Sequence, residues 1–333
     1  MKDPRAAIIG LSGHSLTAEE AAMLRQWRPL GAILFARNIR DAEQVRALTD
    51  AIREELGGDA PILVDQEGGR VARLRPPHWP DFPPAARFEG LPEEAASANA
   101  TLLGLDCLAL GLDVVCAPVL DLRLPGAHGI IGDRSFSAEP AEVARLGGAW
   151  IRGLQRAGTI PVIKHIPGHG RASVDSHLEL PRVTAGAAAL ADDIAPFAAL
   201  AADGAWAMTA HILYSAWDDQ RPATLSPKVI QNIIRGEIGF DGPLVSDDLA
   251  MHALKGEPGA LAGDALAAGC DVVLHCTGVL EESLAVLRGS APVHDKAAER
   301  LTASRSRSLP GRAASHDLQA MARQRDDALR NVA

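Results

Sequence analysis

The 333-residue sequence has no excess of basic residues and no long apolar run. Its 33 Lys and Arg against 42 Asp and Glu give a net charge of −9, which argues against a partner held by phosphate neutralisation, such as a nucleic acid. No stretch approaches the roughly 18 uninterrupted apolar residues of a membrane-spanning helix, and the N-terminus lacks the pattern of a secretory signal. We therefore expect a cytoplasmic protein with neither a nucleic-acid nor a membrane partner.

Cysteines and nucleotide-binding motifs are also scarce. The four cysteines lie in apolar runs and lack C-x-x-C spacing, which predicts reduced core residues and indicates neither a disulfide scaffold nor a zinc finger; they are Cys107, Cys116, Cys270 and Cys276. The first apolar run ends in GLSGH at 10–14, which does not match the G-x-G-x-x-G of dinucleotide-binding folds, and the sequence contains no P-loop motif. We therefore expect no cofactor.

The sequence does contain a repeated alternation of short apolar runs and helical segments. Eight runs rich in Val, Ile and Leu occur at 6–13, 31–37, 61–69, 112–122, 160–169, 205–214, 242–251 and 270–278. Helical periodicity occurs between them, at 17–27, 41–56, 93–110, 139–157, 187–202, 226–238 and 258–268. This alternation favours an α/β fold, a single-domain (β/α)8 TIM-type barrel, over an open doubly wound sheet. We assign residues 1–290 to the barrel and predict a C-terminal helical or loose tail, packed on the barrel or trailing from it, for 291–333.

Polar residues close seven of the eight apolar runs. They are Arg37-Asn38, Asp65-Gln66-Glu67, Asp121, Lys164-His165, His211, Asp247-Asp248 and His275. Active sites of (β/α)8 barrels lie at the C-terminal ends of the strands, so this concentration of polar groups predicts a functional rim. Any one of these residues taken alone is equally compatible with a solvated loop position.

The fifth run continues into a loop, residues 164–181, with three histidines within thirteen residues. Its prolines and glycines argue against a helix, and a loop of this length is typical of a lid or a binding loop. Asp175 and His177 are one residue apart, so in an extended segment both side chains project to the same side and the carboxylate can orient the imidazole. The spacing fits a general acid/base pair, although an unrelated surface pair has the same pattern.

Two kinds of chemistry fit this rim. A metal that activates water could be held by an aspartate with histidines from the set His165, His169, His177 and His211. Alternatively, a carboxylate nucleophile works with a proton donor. The first strand lacks the His-x-His pair of metal-dependent barrel hydrolases, and a Pro-Gly turn separates the first two of these histidines, so they cannot align on a helix. We expect no metal, and a metal-dependent hydrolase stays an alternative.

Four motifs together carry a family resemblance. They are KHIPGHG at 164–170 followed by DSH at 175–177, VDQEGGRVAR at 64–73, VSDDLAM at 245–251 and GDRSF at 132–136. In this combination the sequence resembles the bacterial β-N-acetylglucosaminidases of glycoside hydrolase family 3, the NagZ type. The resemblance runs from about residue 8 to 278 and is weaker beyond that point.

The resemblance implies a single (β/α)8 barrel that hydrolyses a terminal β-linked N-acetylglucosamine with retention. It implies that Asp247 is the nucleophile, His177 the general acid/base and Asp175 its orienting partner. It assigns sugar binding to Asp65, Arg73, Arg134, Lys164 and His165. The substrate implied by the family is a muropeptide fragment, N-acetylglucosamine linked to 1,6-anhydro-N-acetylmuramic acid with its peptide, met in cytoplasmic cell-wall recycling.

Elementary chemistry agrees with these roles. A retaining hydrolase needs a carboxylate to form a glycosyl ester and a group that first gives and then takes a proton, which a histidine with an ordinary pKa of about 6.5 can do near neutral pH. Strand alternation predicts that Asp247 faces the site with Val245 while Asp248 faces away.

The aromatic residues make up only 4% of the sequence, which favours a small glycoside over a polysaccharide as the substrate.

Phosphorolysis and a sugar-binding barrel without activity stay open as alternatives. A monomer or weak oligomer is expected.

Overall fold

The computed structural model describes residues 4–126, 129–172, 174–176 and 178–330. Eight parallel strands form a barrel, namely β1 Arg5–Gly10, β2 Pro29–Leu34, β3 Ile62–Val64, β4 Val114–Val115, β5 Ile160–Ile166, β7 Trp206–Thr209, β9 Leu244–Asp248 and β10 Val272–His275. They close in the order β1-β10-β9-β7-β5-β4-β3-β2. Two further strands, β6 Arg182–Val183 and β8 Leu213–Tyr214, pair with each other outside the barrel. The predicted (β/α)8 fold is confirmed.

Helices follow the strands and cover the outside of the barrel. They are α1 Ala18–Trp27, α2 Ala42–Leu56, α3 Glu93–Leu108, α4 Pro140–Ala157, α5 Ala187–Ala199, a π-helix Val229–Glu237, α6 Pro258–Ala268, α7 Leu280–Gly289, α8 Asp295–Ser308 and α9 Leu318–Arg330. Short 3-10 turns lie at Ala36–Asn38, Ala85–Phe88, Gly132–Arg134, Ala223–Leu225 and Leu309–Ala313. Among the described residues, no helix has the length and apolarity needed to cross a membrane.

Local sequence signals explain where several helices begin and end. The Thr17 hydroxyl accepts the backbone N–H of Glu20 at 3.1 Å, and the Glu20 carboxylate accepts the N–H of Thr17 in return, which caps α1. Asp41 caps α2 in the same way through the N–H of Gln44. Gly158 ends α4 at a φ of 89°, a conformation that favours glycine.

Apolar side chains form two layers around the strands. The inner layer fills the barrel itself and includes Ile8, Leu63, Val162 and Val245. The outer layer lies between strands and helices. Fully burying an aliphatic side chain of this size contributes about 1.5–3 kcal/mol. All four cysteines are buried and unpaired, as predicted.

The C-terminal segment packs on the barrel through α8 and α9. Arg300 of α8 pairs with Asp271 at 2.9 Å, and Arg312 pairs with Asp113 at 3.2 Å. Both aspartates are buried just before the strands β10 and β4, at the end of the barrel opposite the rim. Helix α9 packs against α3. Ion pairs and helix packing therefore connect this segment to elements far away in the sequence.

Candidate active site

A cavity of about 320 Å³ lies at the C-terminal ends of the barrel strands. It contains six of the residues that the sequence assigned to the site, namely Asp65, Arg73, Arg134, Lys164, His165 and Asp247. Phe35, Met208, Met251 and Leu274 supply apolar wall. The volume is at the small end of the range for ligand pockets, about 300–1,000 Å³, so the cavity suits one small ligand.

A network of buried and half-buried ion pairs forms the polar side of the cavity. Lys164 Nζ lies 3.0 Å from Asp65 Oδ1 and 2.6 Å from Glu67 Oε1. Arg73 Nη2 lies 3.0 Å from the other oxygen of Asp65. Arg134 binds Glu67 through two parallel hydrogen bonds of 2.8 and 2.9 Å. Such bidentate pairs fix geometry as well as charge, so each side chain is held in one orientation.

The network keeps Asp65, Glu67 and Lys164 charged. Burial raises the pKa of Asp65, but Lys164 and Arg73 outweigh it and hold that pKa well below its usual value. Burial opposes ionisation of Glu67 too, and Arg134 with Lys164 lowers its pKa to about 2. Conversely, burial lowers the pKa of Lys164, and the two carboxylates more than reverse this. The cavity therefore presents fixed donors and acceptors at neutral pH.

The side chain of Gln66 holds together the two ends of the motif at 64–73, which forms the loop after β3. Its side-chain oxygen accepts the N–H of Arg73 at 2.7 Å and that of Leu74 at 3.0 Å. Its amide nitrogen donates to the carbonyl of Leu74 at 3.1 Å. The buried amide thus closes the segment 66–74, and this closure faces Arg73 toward Asp65.

His165 is oriented by the buried carboxylate of Asp121. Nδ1 of His165 lies 2.6 Å from Asp121 Oδ2, and Asp121 also accepts the backbone N–H of His165 and of His169. Since the ionised carboxylate only accepts, Nδ1 carries the proton. Nε2 of His165 then presents its lone pair toward Arg134, 3.5 Å away, and the cavity. This nitrogen can accept a hydrogen bond from a sugar hydroxyl.

Asp247 lies in β9 and borders the cavity. Its Oδ1 accepts the backbone N–H of Asp248 at 2.8 Å. Burial raises the pKa of Asp247, but His211 and His165 counter it, and the resulting pKa is below the ordinary value. The carboxylate is therefore ionised at neutral pH, as a nucleophile must be.

Asp248 also borders the cavity, and the prediction that strand alternation would turn it away is wrong. Between Val245 and Asp248 the register of β9 against β10 shifts by one residue, which interrupts the alternation. Oδ1 of Asp248 accepts the N–H groups of Ala250 and Cys276, both at 3.0 Å. Burial raises the pKa of Asp248. The two aspartates thus both border the cavity and differ in the hydrogen bonds of their carboxylates.

A buried hydrogen-bond chain lies beneath Asp247. Nε2 of His211 bonds the carbonyl of Asp248 at 3.0 Å, and Nδ1 bonds the Thr224 hydroxyl at 2.7 Å. A carbonyl only accepts, so Nε2 is the donor. Burial lowers the pKa of His211, so the imidazole is neutral and its Nδ1 accepts from Thr224. The Thr224 hydroxyl lies 2.8 Å from that of Thr209, which accepts the N–H of Asp247 at 3.4 Å. The chain supports the backbone of both aspartates.

The predicted acid/base pair is described only in part. Asp175 is half-buried and has polar contacts of its own. His177 lies outside the described residues. Between them, Ser176 is buried and lines the cavity.

Two carboxylates that support the site, those of Glu67 and Asp121, were predicted as strand-end residues but not as catalytic or sugar-binding residues. Glu67 is held by Lys164 and Arg134, and Asp121 by His165. Their signal in the sequence is the same as that of Asp65, a carboxylate directly after a buried strand. Their ion-pair partners became known only from the contacts.

Two of the histidines proposed for the alternative metal site, His165 and His211, already have other partners. Both ring nitrogens of His211 are engaged in the chain beneath Asp247. Nδ1 of His165 is taken by Asp121. Within the described ranges, no group of three or more His, Cys, Asp or Glu side chains is arranged to hold a metal ion.

Comparison with known proteins identifies the family. Residues 6–307 match the family described as "Glycosyl hydrolase family 3 N terminal domain". The chain therefore belongs to glycoside hydrolase family 3 and is a glycoside hydrolase.

Its relatives place it more narrowly, with the NagZ-type β-N-acetylhexosaminidases. A beta-hexosaminidase from Alkalilimnicola ehrlichii is 43% identical over 280 residues, which cover 81% of this chain and 80% of the relative. A beta-hexosaminidase from Pseudomonas aeruginosa is 40% identical over 284 residues, 84% of either protein. NagZ from Neisseria gonorrhoeae in complex with N-trifluoroacetyl-D-glucosamine superposes with a TM-score of 0.86 at 31% identity, covering 98% of this chain and 97% of the other. These relatives support an exo-β-N-acetylglucosaminidase activity.

Proposed function

We propose that this enzyme removes a terminal β-linked N-acetylglucosamine with retention, with Asp247 as the nucleophile and His177, oriented by Asp175, as the general acid/base. The observation that carries the proposal is the position of Asp247 at the end of β9, in a small cavity that also contains Lys164 and Arg134. Asp65, Arg73, Arg134, Lys164 and His165 would hold the sugar.

The two chemical steps balance with these groups alone. In the first, Asp247 attacks the anomeric carbon, the glycosidic C–O bond breaks, and the leaving oxygen takes the proton of His177. The products are a glycosyl ester, the released aglycone alcohol and a neutral imidazole. In the second, that imidazole takes a proton from water, the water oxygen attacks the anomeric carbon, and the carboxylate of Asp247 is released.

The proposed substrate is a small glycoside, N-acetylglucosamine linked to 1,6-anhydro-N-acetylmuramic acid with or without peptide, in cytoplasmic cell-wall recycling. Its support is the small cavity and the similarity to NagZ, one structure of which holds an N-acylated glucosamine. Lys164 and Arg73 can donate to sugar oxygens, and Asp65 can accept from hydroxyls.

A proton NMR time course on an aryl β-N-acetylglucosaminide tests the proposal. We expect the β-anomer of free N-acetylglucosamine as the first product, before mutarotation. An α-anomer formed first would assign inversion and overturn the nucleophile. A second run in phosphate buffer should give the same product, whereas N-acetylglucosamine 1-phosphate would assign phosphorolysis.

A further inference from the structure

A buried contact connects the end of β5 to the loop that carries the proposed acid/base pair. Nε2 of His169 lies 3.1 Å from the hydroxyl oxygen of Ser176. Both residues are 3% exposed. Ser176 is the residue between Asp175 and His177 in the sequence. The contact therefore fixes the backbone position to which both members of the pair are covalently bonded.

Ser176 differs from its described neighbours at 174–175 and 178–180. Among the described loop residues 174–176 and 178–180, Ser176 alone is buried, and Leu178 is 72% exposed. An exposed loop gains little from packing, so a buried polar side chain with a defined partner sets its position. The bond to His169 is such a contact.

His169 itself is held rigidly. Its backbone N–H donates to Asp121 Oδ1 at 2.6 Å, and its ring packs edge-on against that of His165 with centroids 5.5 Å apart. The carbonyl of the preceding Gly168 accepts the Tyr214 hydroxyl at 2.7 Å. Two of these contacts hold the backbone at residues 168 and 169, and the third holds the ring. The imidazole therefore has a defined position, and the loop residue that bonds to it is positioned in turn.

We propose that His169 and Ser176 are positioning residues that hold the Asp175–His177 pair in place for proton transfer to the leaving group. The inference rests on the proposed function, since it gives the pair that role. Burial and the neighbouring His165 lower the pKa of His169 to about 4. The imidazole of His169 is therefore neutral at neutral pH, and its hydrogen bond with the Ser176 hydroxyl joins two uncharged groups.

A direct role in substrate binding is the competing explanation. His169 lines the cavity, and in the described part of the chain its Nδ1 is buried without a hydrogen-bond partner. A nitrogen that bound the sugar would contribute equally for every leaving group. A positioning role contributes only where protonation of the leaving oxygen limits the rate. Measuring the activity on substrates that differ only in their leaving group therefore distinguishes the two roles.

The experiment measures kcat/KM of Ser176→Ala with a phenyl and a 2,4-dinitrophenyl β-N-acetylglucosaminide. We expect a loss of about five- to tenfold on the phenyl glycoside, the effect of one hydrogen bond between neutral groups, and of no more than about twofold on the dinitrophenyl glycoside. Ser176→Thr, which keeps the hydroxyl, should recover most of the loss. Leu178→Ala, on the exposed side of the same loop, is the matched control and should behave as wild type.

The double variant Ser176→Ala/His177→Ala decides whether the effect passes through the acid/base. We expect it to match His177→Ala alone, because there is then no group left to position. An equal loss on both glycosides, or losses that add in the double variant, would overturn the positioning role. If His177→Ala itself shows no leaving-group dependence, the proposed acid/base fails. If it shows dependence while Ser176→Ala is unaffected, only the positioning inference fails.

Discussion

Replacing Glu67 with Gln tests whether the charged network also stabilises the fold. The pKa of Glu67 is about 2 against an ordinary value of 4.5. That difference corresponds to about 3 kcal/mol of folding free energy at neutral pH. At about 2.1 cal/mol/K per residue, 333 residues give an unfolding entropy near 0.7 kcal/mol/K, so Glu67→Gln should lower the melting temperature by about 4 °C.

The pH dependence of this loss identifies its cause. The folded-state pKa of Glu67 is depressed, so its stabilisation is complete above about pH 4.5 and disappears as the pH falls toward about 2. The difference between wild type and Glu67→Gln should therefore shrink to about half near pH 3. Differential scanning calorimetry between pH 7 and pH 3 measures it.

Glu55→Gln is the matched control for this experiment. Glu55 accepts two parallel hydrogen bonds from Arg25, of 2.7 and 2.8 Å, in the same bidentate arrangement but at the surface. Exposed pairs contribute little, so we expect no measurable change in melting temperature. A loss in Glu67→Gln that does not depend on pH, or one no larger than in Glu55→Gln, would refute the electrostatic reasoning.

Three further predictions concern metal, nucleophile support and the C-terminal segment. Incubation with EDTA should leave activity unchanged, and a loss restored by zinc would reinstate the metal-dependent alternative. Thr224→Val removes the hydroxyl that joins His211 to Thr209. We expect kcat to fall about tenfold for substrates with good and with poor leaving groups alike, because the hydrogen-bond chain supports the nucleophile. A loss confined to poor leaving groups would contradict this. Arg300→Ala leaves Asp271 buried with fewer partners and should lower the free energy of unfolding by about 1–3 kcal/mol, measured by urea titration. An unchanged urea midpoint would show that this ion pair contributes nothing.

The sequence predicted the fold because its signals are local. Buried strands separated by amphipathic helices repeat along the chain, and Thr17 and Asp41 cap the helices that follow them. The predicted strands were longer than the observed ones, since the apolar runs continue into rim loops. The run predicted at 112–122 contains only the two-residue strand Val114–Val115.

The site was predictable where a motif keeps its members close in sequence. Asp65 and Arg73 belong to one motif and meet in the structure. The strand-end pattern also predicted that Lys164 and Asp65 lie at one rim, but it did not predict their ion pair, which spans 99 positions. The register shift in β9, which brings Asp248 to the cavity, also depends on the neighbouring strand. The ion pairs of the C-terminal segment were not predictable for the same reason.

Trapping the glycosyl-enzyme tests the central claim most directly. A 5-fluoro N-acetylglucosaminyl substrate should slow turnover enough for the intermediate to accumulate, and intact mass with peptide mapping then locates the label. We predict a label on the peptide 242–251 in the wild type and in Asp248→Asn, and none in Asp247→Asn. A label on Asp248, or no label together with an isolable oxazoline, would contradict Asp247 as the nucleophile.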